Sequence, residues 1–405
     1  MPNSTTAPFA LPVGAPAAAR ATLRLLQRLR HGQLTVQLPD GSFQQFGQGG
    51  GISATLRLHN WKVCGAALKS GDIGFAEGYI AGDWSTPQLA DLLRLFLRNR
   101  NEIEDVIYGT WLGRLAYRLR HLLHRNTKTN SKKNIHAHYD LGNAFYRLWL
   151  DETMNYSSAL FEHSGQDMVS AQWAKVHRAL RLAQVKPGDR VLEIGCGWGA
   201  LAEAATTTFD ASVVGVTLST EQLAWAQERM ARLGAAARAD LRLQDYRDID
   251  DGPFDAICSI EMVEAVGREY WPTYFQTVAR LLKPGGRANI QSITIADEHF
   301  DRYIRGTDFI QQYIFPGGCL PSPSAFRAQA EAAGLVVEDA FAFGRDYAET
   351  LRQWRERFLH EEPRVRELGF DEHFLRVWEF YLAYCEAAFD EGSTDVMQFT
   401  LIKPH

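Results

Sequence analysis

The chain has 405 residues, of which 46% are hydrophobic and 22% are charged, and its formal net charge is −5. This composition is typical of a globular protein, and the length allows two domains at about 100–200 residues each. No stretch approaches the roughly 18 consecutive apolar residues of a membrane span, and the Pro/Ala-rich start lacks a cationic region, so we expect a cytoplasmic protein.

Cysteine and charge patterns exclude two further classes of protein. The five cysteines are scattered and never paired as C-x-x-C, so we expect reduced thiols, no disulfide framework and no bound metal. Residues 20–30 and 114–133 are strongly basic within an acidic chain. A protein that binds nucleic acid in bulk would be basic throughout, so we expect no nucleic-acid partner.

Residues 1–125 are predicted to form a smaller, N-terminal α+β domain. Leu34, Val36 and Leu38 alternate with polar residues before a Pro-Asp-Gly turn, which predicts a half-buried strand. The domain is predicted to end in a basic amphipathic helix, whose leucines recur at helical spacing over residues 112–122. Its basic face suits either plain exposure to solvent or contact with a membrane surface.

Residues 126–405 are predicted to form an α/β domain with a parallel sheet covered by helices on both faces. Strand-like and helix-like segments alternate from the strand Arg190–Ile194 through a turn at residues 283–286. Two later strands, one at the C-terminus, would complete the sheet. Residues 297–323 and 344–391 are too long and too aromatic to be simple connections, so we expect a helical, aromatic lid.

The segment VLEIGCGWGA predicts a strand that runs into a cofactor-binding glycine turn. Gly195, Gly197 and Ala200 also satisfy a loose dinucleotide pattern. The next strand, however, ends near Thr217 without the Asp or Glu that a NAD site needs. Glu193, the glycine turn and the later Lys-Pro-Gly-Gly turn are together typical of S-adenosylmethionine (SAM) methyltransferases. We therefore expect the Rossmann-like sheet of a class I SAM methyltransferase.

Seven segments between about residue 130 and the C-terminus form a recognisable set. They are HAHYDLGNAFYRLWLD, MNYSSALFE, VLEIGCGWG, GVTLSTEQ, EMVEAVG, DFIQQYIFPGGCLPS and DYAETLRQWRERF. In this order they resemble the cyclopropane-fatty-acyl-phospholipid synthase family, and the N-terminal third resembles the lipid-associated domain of its longer members. The resemblance implies transfer of the SAM methyl group to the cis double bond of an unsaturated phospholipid acyl chain.

The residues expected to bind SAM lie in the glycine turn, at strand ends and in the segments before the first strand. The pattern of the turn points to Glu193, and the resemblance implies the others. The full set is Tyr139, Tyr156, Ser157, Glu193, Gly195, Gly197, Thr217, Gln222, Asp245 and Tyr246. Hydroxyl and amide groups at a strand end can replace the carboxylate that a ribose otherwise meets.

The implied reaction makes unusual demands on the site. An alkene is a poor nucleophile, so the methyl carbon must be held in line in a dry cavity, and attack leaves a carbocation in the chain. Aromatic faces stabilise a cation without trapping it. Of the aromatic residues in the predicted lid, Tyr313 and Tyr347 are the two that we expect in the cavity.

The proton acceptor of the resembling family is a bound bicarbonate, held by Cys, Glu, His and Tyr side chains. Here the corresponding positions are Ser158, Glu264, Gln291 and Tyr347, so two of the four differ. Ser158 can donate through its hydroxyl, but Gln291 cannot carry a proton. Glu261, three residues before Glu264, adds a carboxylate that the FEHVG pattern lacks, and some members of the family resemble this chain in the EMxEAVG segment and the glutamine strand. It is either a base of raised pKa or a cap or partner of a basic side chain.

The product and the acceptor stay open at this stage. Loss of a proton from the methyl carbon closes a cyclopropane, which we favour, whereas loss from a neighbouring chain carbon gives a methylene- or methyl-branched chain. A SAM methyltransferase for a small soluble acceptor and a non-catalytic lipid- or SAM-binding protein are the alternatives. Because basic helices suit anionic headgroups, we expect peripheral association with the inner face of the membrane. A homodimer is also compatible with the sequence.

Overall fold

The computed structural model describes residues 14–103 and 141–405. The chain divides into two compact units. The first contains the described residues up to 103 together with residues 371–391, and the second contains residues 141–370 and 392–405. The predicted domain boundary at residue 125 lies outside the described residues and stays a prediction, as does the basic helix before it.

The first unit is an α+β module built on a small sheet. Its elements up to residue 103 are α1 (Ala17–Leu26), β1 (Gly32–Gln37), β2 (Phe43–Gly49), β3 (Ser53–Leu58), α2 (Lys62–Ile80), β4 (Trp84–Ser85) and α3 (Leu89–Arg98). The strand order is β2-β1-β3-β4, with β1 antiparallel to β2 and parallel to β3. Leu34 and Val36 of β1 are fully buried, as their alternation with polar residues predicts.

A helix from late in the chain completes the first unit. This helix, Glu372–Asp390, is the last helix of the chain. Its Glu379 accepts a hydrogen bond from the Tyr79 hydroxyl at 2.6 Å, and the hydroxyl of its Tyr384 donates to Asp72 at 2.8 Å. The prediction that residues 344–391 all belong to a lid is therefore wrong for this helix, because its partners lie about 300 residues earlier in the chain.

The second unit holds the large predicted sheet. Its strands are β5 (Arg190–Ile194), β6 (Ser212–Thr217), β7 (Ala239–Leu243), β8 (Phe254–Ile260), β9 (Leu282–Ile295), β10 (Val336–Ala342) and β11 (Thr394–Ile402). Its helices are α4 (Asn143–Trp149), α5 (Met168–Leu182), α6 (Ala200–Thr207), α7 (Thr220–Arg232), α8 (Trp271–Leu281), α9 (Asp297–Tyr303), α10 (Phe309–Tyr313), α11 (Pro323–Ala332), α12 (Gly344–His360) and α13 (Glu362–Glu367). Accordingly α14 denotes the helix Glu372–Asp390 of the first unit.

The sheet is parallel apart from the pairs that β11 makes, and its strand order is β10-β11-β9-β8-β5-β6-β7. The central strand β5 is buried on both faces: Leu192 and Ile194 join one apolar cluster, whereas Val191 joins the other. Two layers of helices therefore cover the sheet, as the alternation of strands and helices predicts.

One local prediction needs correction. Residues 283–286 were expected to form a turn before the ninth strand, but β9 already begins at Leu282. The pairing of β8 with β9 is interrupted between Leu282 and Arg287, so these residues form a bulge within the strand. Gly285 adopts a φ of +76° there, which glycine tolerates without strain.

No helix in the described part of the chain is both long enough and apolar enough to cross a membrane.

Candidate active site

The site lies at the carboxyl ends of the parallel strands, where ligands bind in open α/β sheets. A cavity opens there. Nine of the ten residues predicted to bind the cofactor line it: Tyr156, Ser157, Glu193, Gly195, Gly197, Thr217, Gln222, Asp245 and Tyr246. The tenth, Tyr139, lies outside the described residues. The structure thus brings together groups that are spread over about ninety residues of sequence.

The glycine turn between β5 and α6 forms one wall of the cavity. Gly195 has a φ of +88°, and a Cβ atom added to it would come within 2.4 Å of the Met262 side chain. The N–H groups of Gly195 and Cys196 both donate to the carbonyl of Val216 on β6, at 3.0 and 2.9 Å. These two N–H groups are used within the sheet, so the turn is poorly suited to cradle a pyrophosphate.

Glu193 supplies a buried carboxylate beside the turn. Its side chain is 3% exposed, and within the described residues its Oε2 atom has no hydrogen-bond partner. Burial raises the pKa of this carboxyl well above its ordinary value, while the charges of Arg229 and Lys175 act in the opposite direction. An unsatisfied carboxylate oxygen in a cavity wall favours a cationic ligand.

Polar groups at the ends of the next two strands line the opposite wall. The Thr217 hydroxyl donates to Gln222 Oε1 at 3.0 Å, and Ser219 caps α7 by accepting from the Gln222 N–H. This cap holds Gln222 in the cavity wall. Asp245 accepts two hydrogen bonds from the guanidinium of Arg247, at 2.8 and 2.6 Å, so its carboxylate is neutralised within the cavity wall.

A buried polar cluster centred on Glu261 lies at the end of β8. Its Oε1 accepts from the backbone N–H of Ser158 and from Gln291 Nε2, both at 2.8 Å. Its Oε2 accepts from the Tyr347 hydroxyl at 2.7 Å. Glu261 is half-buried and lines the cavity, whereas its three donors are buried. The structure therefore gathers Ser158, Gln291 and Tyr347 as predicted, but around a carboxylate of the chain itself.

The hydroxyl of Ser158 is directed elsewhere. It donates to the carbonyl of Ala159 at 2.8 Å, and only the backbone N–H of Ser158 reaches Glu261. The prediction that the Ser158 hydroxyl donates to the bound anion therefore does not match this geometry. A backbone N–H serves equally well as a donor, so the replacement of Cys by Ser changes little at this point.

The direction of the Gln291 amide is determined by a chain of hydrogen bonds. Arg178, which can only donate, bonds to Gln398 Oε1 at 2.6 Å. Gln398 must therefore present its Nε2, which donates to Gln291 Oε1 at 3.1 Å. Gln291 is left to donate its own Nε2 to Glu261. Gln291 and Gln398 face each other because they are register partners in β9 and β11.

Two further ionisable groups surround Glu261. Lys175 on α5 is fully buried and donates to Ser157 Oγ at 2.5 Å. Burial lowers its pKa to about 8, against the charges of Glu261, Asp151 and Glu193. Glu264 accepts from the N–H of Ile293, and burial, then the charge of Glu261, raises its pKa to about 8. The pKa of Glu261 is also raised by burial, while Lys175 and the three donors lower it.

Tyr313 does not join this cluster. Its ring stacks on Phe309 with centroids 5.2 Å apart, and among the described residues that line the cavity Tyr313 is absent. The aromatic residues in the wall are instead Tyr156, Trp198 and Tyr246. Tyr347 does not line the cavity either, so the prediction that these two tyrosines lie in the cavity wall is wrong, but its hydroxyl donates to Glu261, which does.

Comparison with known proteins identifies the family. The family model described as mycolic acid cyclopropane synthetase matches residues 126–399. The chain belongs to this family. It is 38% identical, over 97% of this chain and 93% of that protein, to the tuberculostearic acid methyltransferase UfaA1 of Mycobacterium tuberculosis. It is 37% identical to the cyclopropane-fatty-acyl-phospholipid synthase of Escherichia coli, over 84% of this chain and 85% of that protein.

Solved structures agree with this family and its cofactor. The mycolic acid cyclopropane synthase CmaA1, complexed with SAH and CTAB, is 34% identical and superposes with a TM-score of 0.63. The match covers 97% of that structure but 67% of this chain. As a member of this family, the chain is a SAM-dependent methyltransferase with a class I sheet.

The cavity suits SAM by its chemistry. The unsatisfied oxygen of Glu193 can meet a positive charge, and the polar end of β6 can meet a nucleoside. When bound, SAM supplies an electrophilic methyl group on a sulfonium centre. Tyr156 and Trp198 also line the cavity, and aromatic rings tolerate a cation.

Sequence reasoning missed Lys175, Arg247 and Gln398. A signal for Lys175 was available, because it falls four residues after Ala171 on the apolar stripe of α5, where a lysine must be buried with a partner. Arg247 and Gln398 carried no comparable signal. Their importance depends on which side chains the fold brings opposite them.

Proposed function

We propose that this methyltransferase transfers the methyl group of SAM to the cis double bond of unsaturated phospholipid acyl chains. The reaction passes through a carbocation that loses a proton, and a cyclopropane is the favoured product. The observation that carries the proposal is the buried cluster around Glu261 at the end of the SAM cavity. Methylation of an alkene leaves a carbocation that must lose a proton from carbon, and this cluster offers a carboxylate in the cavity wall.

The relatives support a lipid acceptor. One is named a cyclopropane-fatty-acyl-phospholipid synthase and another a tuberculostearic acid methyltransferase. A solved relative binds CTAB, which carries a long alkyl chain and a cationic head. A long alkyl chain is apolar, and the aromatic residues in the cavity wall provide an apolar surface that suits such an acceptor.

A fatty acyl methylase that makes a methylene- or methyl-branched chain is the second candidate. Two observations favour it. The relative aligned over 97% of this chain carries the name of a methyltransferase rather than a cyclopropane synthase. The donors that the resemblance assigns to a bound anion here bond to the carboxylate of Glu261, which supports a different proton acceptor and therefore a different product. Both products begin from the same cation and differ only in which C–H bond breaks.

The deciding experiment is an analysis of the lipid product. The purified protein is incubated with SAM and vesicles of a cis-monounsaturated phospholipid, and the released fatty acid methyl esters are analysed by gas chromatography and mass spectrometry. A chain heavier by one CH₂ that resists catalytic hydrogenation indicates a cyclopropane. A hydrogenatable chain of the same mass indicates the branched product. Absence of both, with turnover on a soluble acceptor, would refute the proposal.

We further propose that the protein works at the membrane surface, peripherally and from the cytoplasm. The basic segments of the sequence support this, at about 1 kcal/mol for each Lys or Arg close to an anionic surface. Co-sedimentation with vesicles that contain anionic lipid, but not with purely zwitterionic vesicles, is the expected result. Loss of this difference at high salt would be consistent with an electrostatic cause. Equal binding to both vesicles would refute it, and light scattering of the purified protein tests the proposed homodimer.

A further inference from the structure

We propose that the carboxylate of Glu261 is the proton acceptor of the reaction and that it takes the place of a separate bicarbonate ion. The inference rests on the proposed function, because it names the base which that reaction requires. It goes beyond the resemblance, which assigns this task to an anion from solution.

The hydrogen bonds around Glu261 are those of an anion site. Two buried N–H donors and one buried hydroxyl converge on its two carboxylate oxygens within 2.7–2.8 Å. The donors come from the three positions, Ser158, Gln291 and Tyr347, that the resemblance assigns to bicarbonate. Like a carboxylate, bicarbonate presents two oxygens of a planar CO₂ unit to hydrogen-bond donors. The chain therefore carries a covalently attached counterpart of the ion at the place where the ion would bind.

A separate bicarbonate does not fit the donors that are present. Each donor already bonds to Glu261, and the fourth position, Glu264, uses one oxygen for the N–H of Ile293. A bicarbonate ion beside Glu261 and Glu264 would place three acidic groups in one buried cluster. The positive charge that acts on Glu261 in this cluster is that of Lys175. Like charges at this distance and burial oppose each other strongly.

The backbone at Glu261 indicates that the carboxylate is held there for a reason. Its φ is +51°, a left-handed conformation that costs a non-glycine residue about 1–2 kcal/mol. The Glu261 N–H donates to the carbonyl of Gln291 at 2.8 Å, which keeps this conformation. Glycine would adopt this left-handed conformation without strain. A glutamate at this position therefore lowers the stability of the fold, and in return it places a carboxylate at this point.

The other groups of the cluster are less suited to take the proton. Among the described residues of the cluster, Glu261 is the carboxylate that lines the cavity, whereas Glu264 is not part of the lining and accepts from the N–H of Ile293. Tyr347 already donates its proton to Glu261, and Gln291 has no proton to exchange. The charge of Lys175 helps to keep Glu261 ionised before the reaction.

The reaction transfers one carbon from SAM to the acyl chain and releases one proton. The π pair of the alkene forms the new bond to the transferred carbon, while the carbon–sulfur bond breaks and its pair stays on sulfur. The neighbouring chain carbon is left without that pair. A C–H bond then breaks, its pair closes the ring or forms a new double bond, and the proton passes to Glu261. The resulting carboxylic acid later releases the proton to solvent.

Two variants at this position separate the base from the anion site. Glu261→Gln keeps the volume and cannot accept the proton, and Glu261→Gly removes the side chain without backbone strain. Gln184→Gly is the matched control, because Gln184 has a φ of +55° on an exposed part of the second unit. Each protein is assayed for lipid product in buffer depleted of carbon dioxide, with and without added bicarbonate or formate. Thermal unfolding with the same anions is the second readout.

We expect the wild type to be indifferent to both anions. We expect Glu261→Gln to lose roughly 10²–10⁴-fold in turnover, the usual contribution of a general base, and to stay inactive with either anion. Glu261→Gly should lose as much, recover at least part of it with formate or bicarbonate, and melt at a higher temperature when either is present. Gln184→Gly should resemble the wild type throughout.

The contrary results are distinct. Wild-type turnover that falls when carbon dioxide is removed, or a Glu261→Gln variant as active as the wild type, would overturn the inference. So would a folded Glu261→Gly variant that neither anion activates or stabilises. A wild type that forms no lipid product at all would instead refute the proposed function. In that case the thermal response of Glu261→Gly to formate still tests whether the position is an anion site.

Discussion

Replacing Glu264 by Gln gives a quantitative test of the buried cluster. The carboxyl is 9% exposed, and within the described residues its Oε2 has no hydrogen-bond partner. Its pKa rises from 4.5 to about 8, first through burial and then through the charge of Glu261. The native carboxyl therefore holds its proton to a higher pH than the unfolded one. Between these two values the native state binds more protons, so stability falls as the pH rises.

The size of the effect follows from the two pKa values. At about 1.36 kcal/mol per pKa unit, a carboxyl that titrates near 8 instead of 4.5 removes about 3 kcal/mol of stability between pH 5.5 and pH 8. Glutamine resembles the protonated carboxyl in shape and does not titrate. The free energy of unfolding of Glu264→Gln should therefore fall by about 3 kcal/mol less than that of the wild type over this interval.

The assay is urea denaturation followed by tryptophan fluorescence at both pH values. Glu338→Gln is the control, because its ion pair with Arg287 holds the pKa of Glu338 below its ordinary value. The stability that this ion pair contributes is fully present above pH 4.5 and is lost only as the pH falls further. The difference in the free energy of unfolding between Glu338→Gln and the wild type should therefore be the same at pH 5.5 and pH 8. An unchanged pH dependence in Glu264→Gln would refute the reasoning, and unchanged turnover would remove Glu264 from the catalytic cluster.

Three further outcomes are expected. Gly195→Ala should weaken SAM binding at least tenfold by calorimetry, because the added Cβ would come within 2.4 Å of the Met262 side chain. Gly188→Ala is the control: Gly188 also has a positive φ, but its added Cβ would have no neighbour within 4 Å, so this variant should bind SAM normally. Gln398→Met should lower kcat about fivefold without changing the KM for SAM. The substitution removes the hydrogen bond that orients the Gln291 amide, and one hydrogen bond is worth about 1 kcal/mol. An unchanged kcat would show that the orientation of the amide does not depend on Gln398. Phe326→Ala should cost about 3–5 kcal/mol in urea denaturation, because the ring is fully buried and stacks on a ring of the last strand at 3.9 Å; a loss below about 1 kcal/mol would mean that the core closes over the gap.

Local patterns in the sequence were sufficient for the sheet and for the cofactor cavity. Alternation of strand and helix predicted β5 at residues 190–194, and the glycine turn after it placed Glu193 and Gly195 in the cavity wall. These predictions succeeded because periodicity, turn chemistry and the carboxyl ends of parallel strands depend on neighbouring residues. The position of α14 in the first unit could not be predicted in this way, since its contacts lie about 300 residues away in sequence.

The sequence by itself determined which chemical groups are present: a carboxylate at 261, three residues before Glu264, and a glutamine at 291 that cannot carry a proton. Only the tertiary structure decided that Glu261 accepts hydrogen bonds from Ser158, Gln291 and Tyr347, which lie 103, 30 and 86 residues away. The physical reason is that a hydrogen bond depends on distance and direction in space. Strand register and backbone conformation set both, and neither can be read from the spacing of residues along the chain.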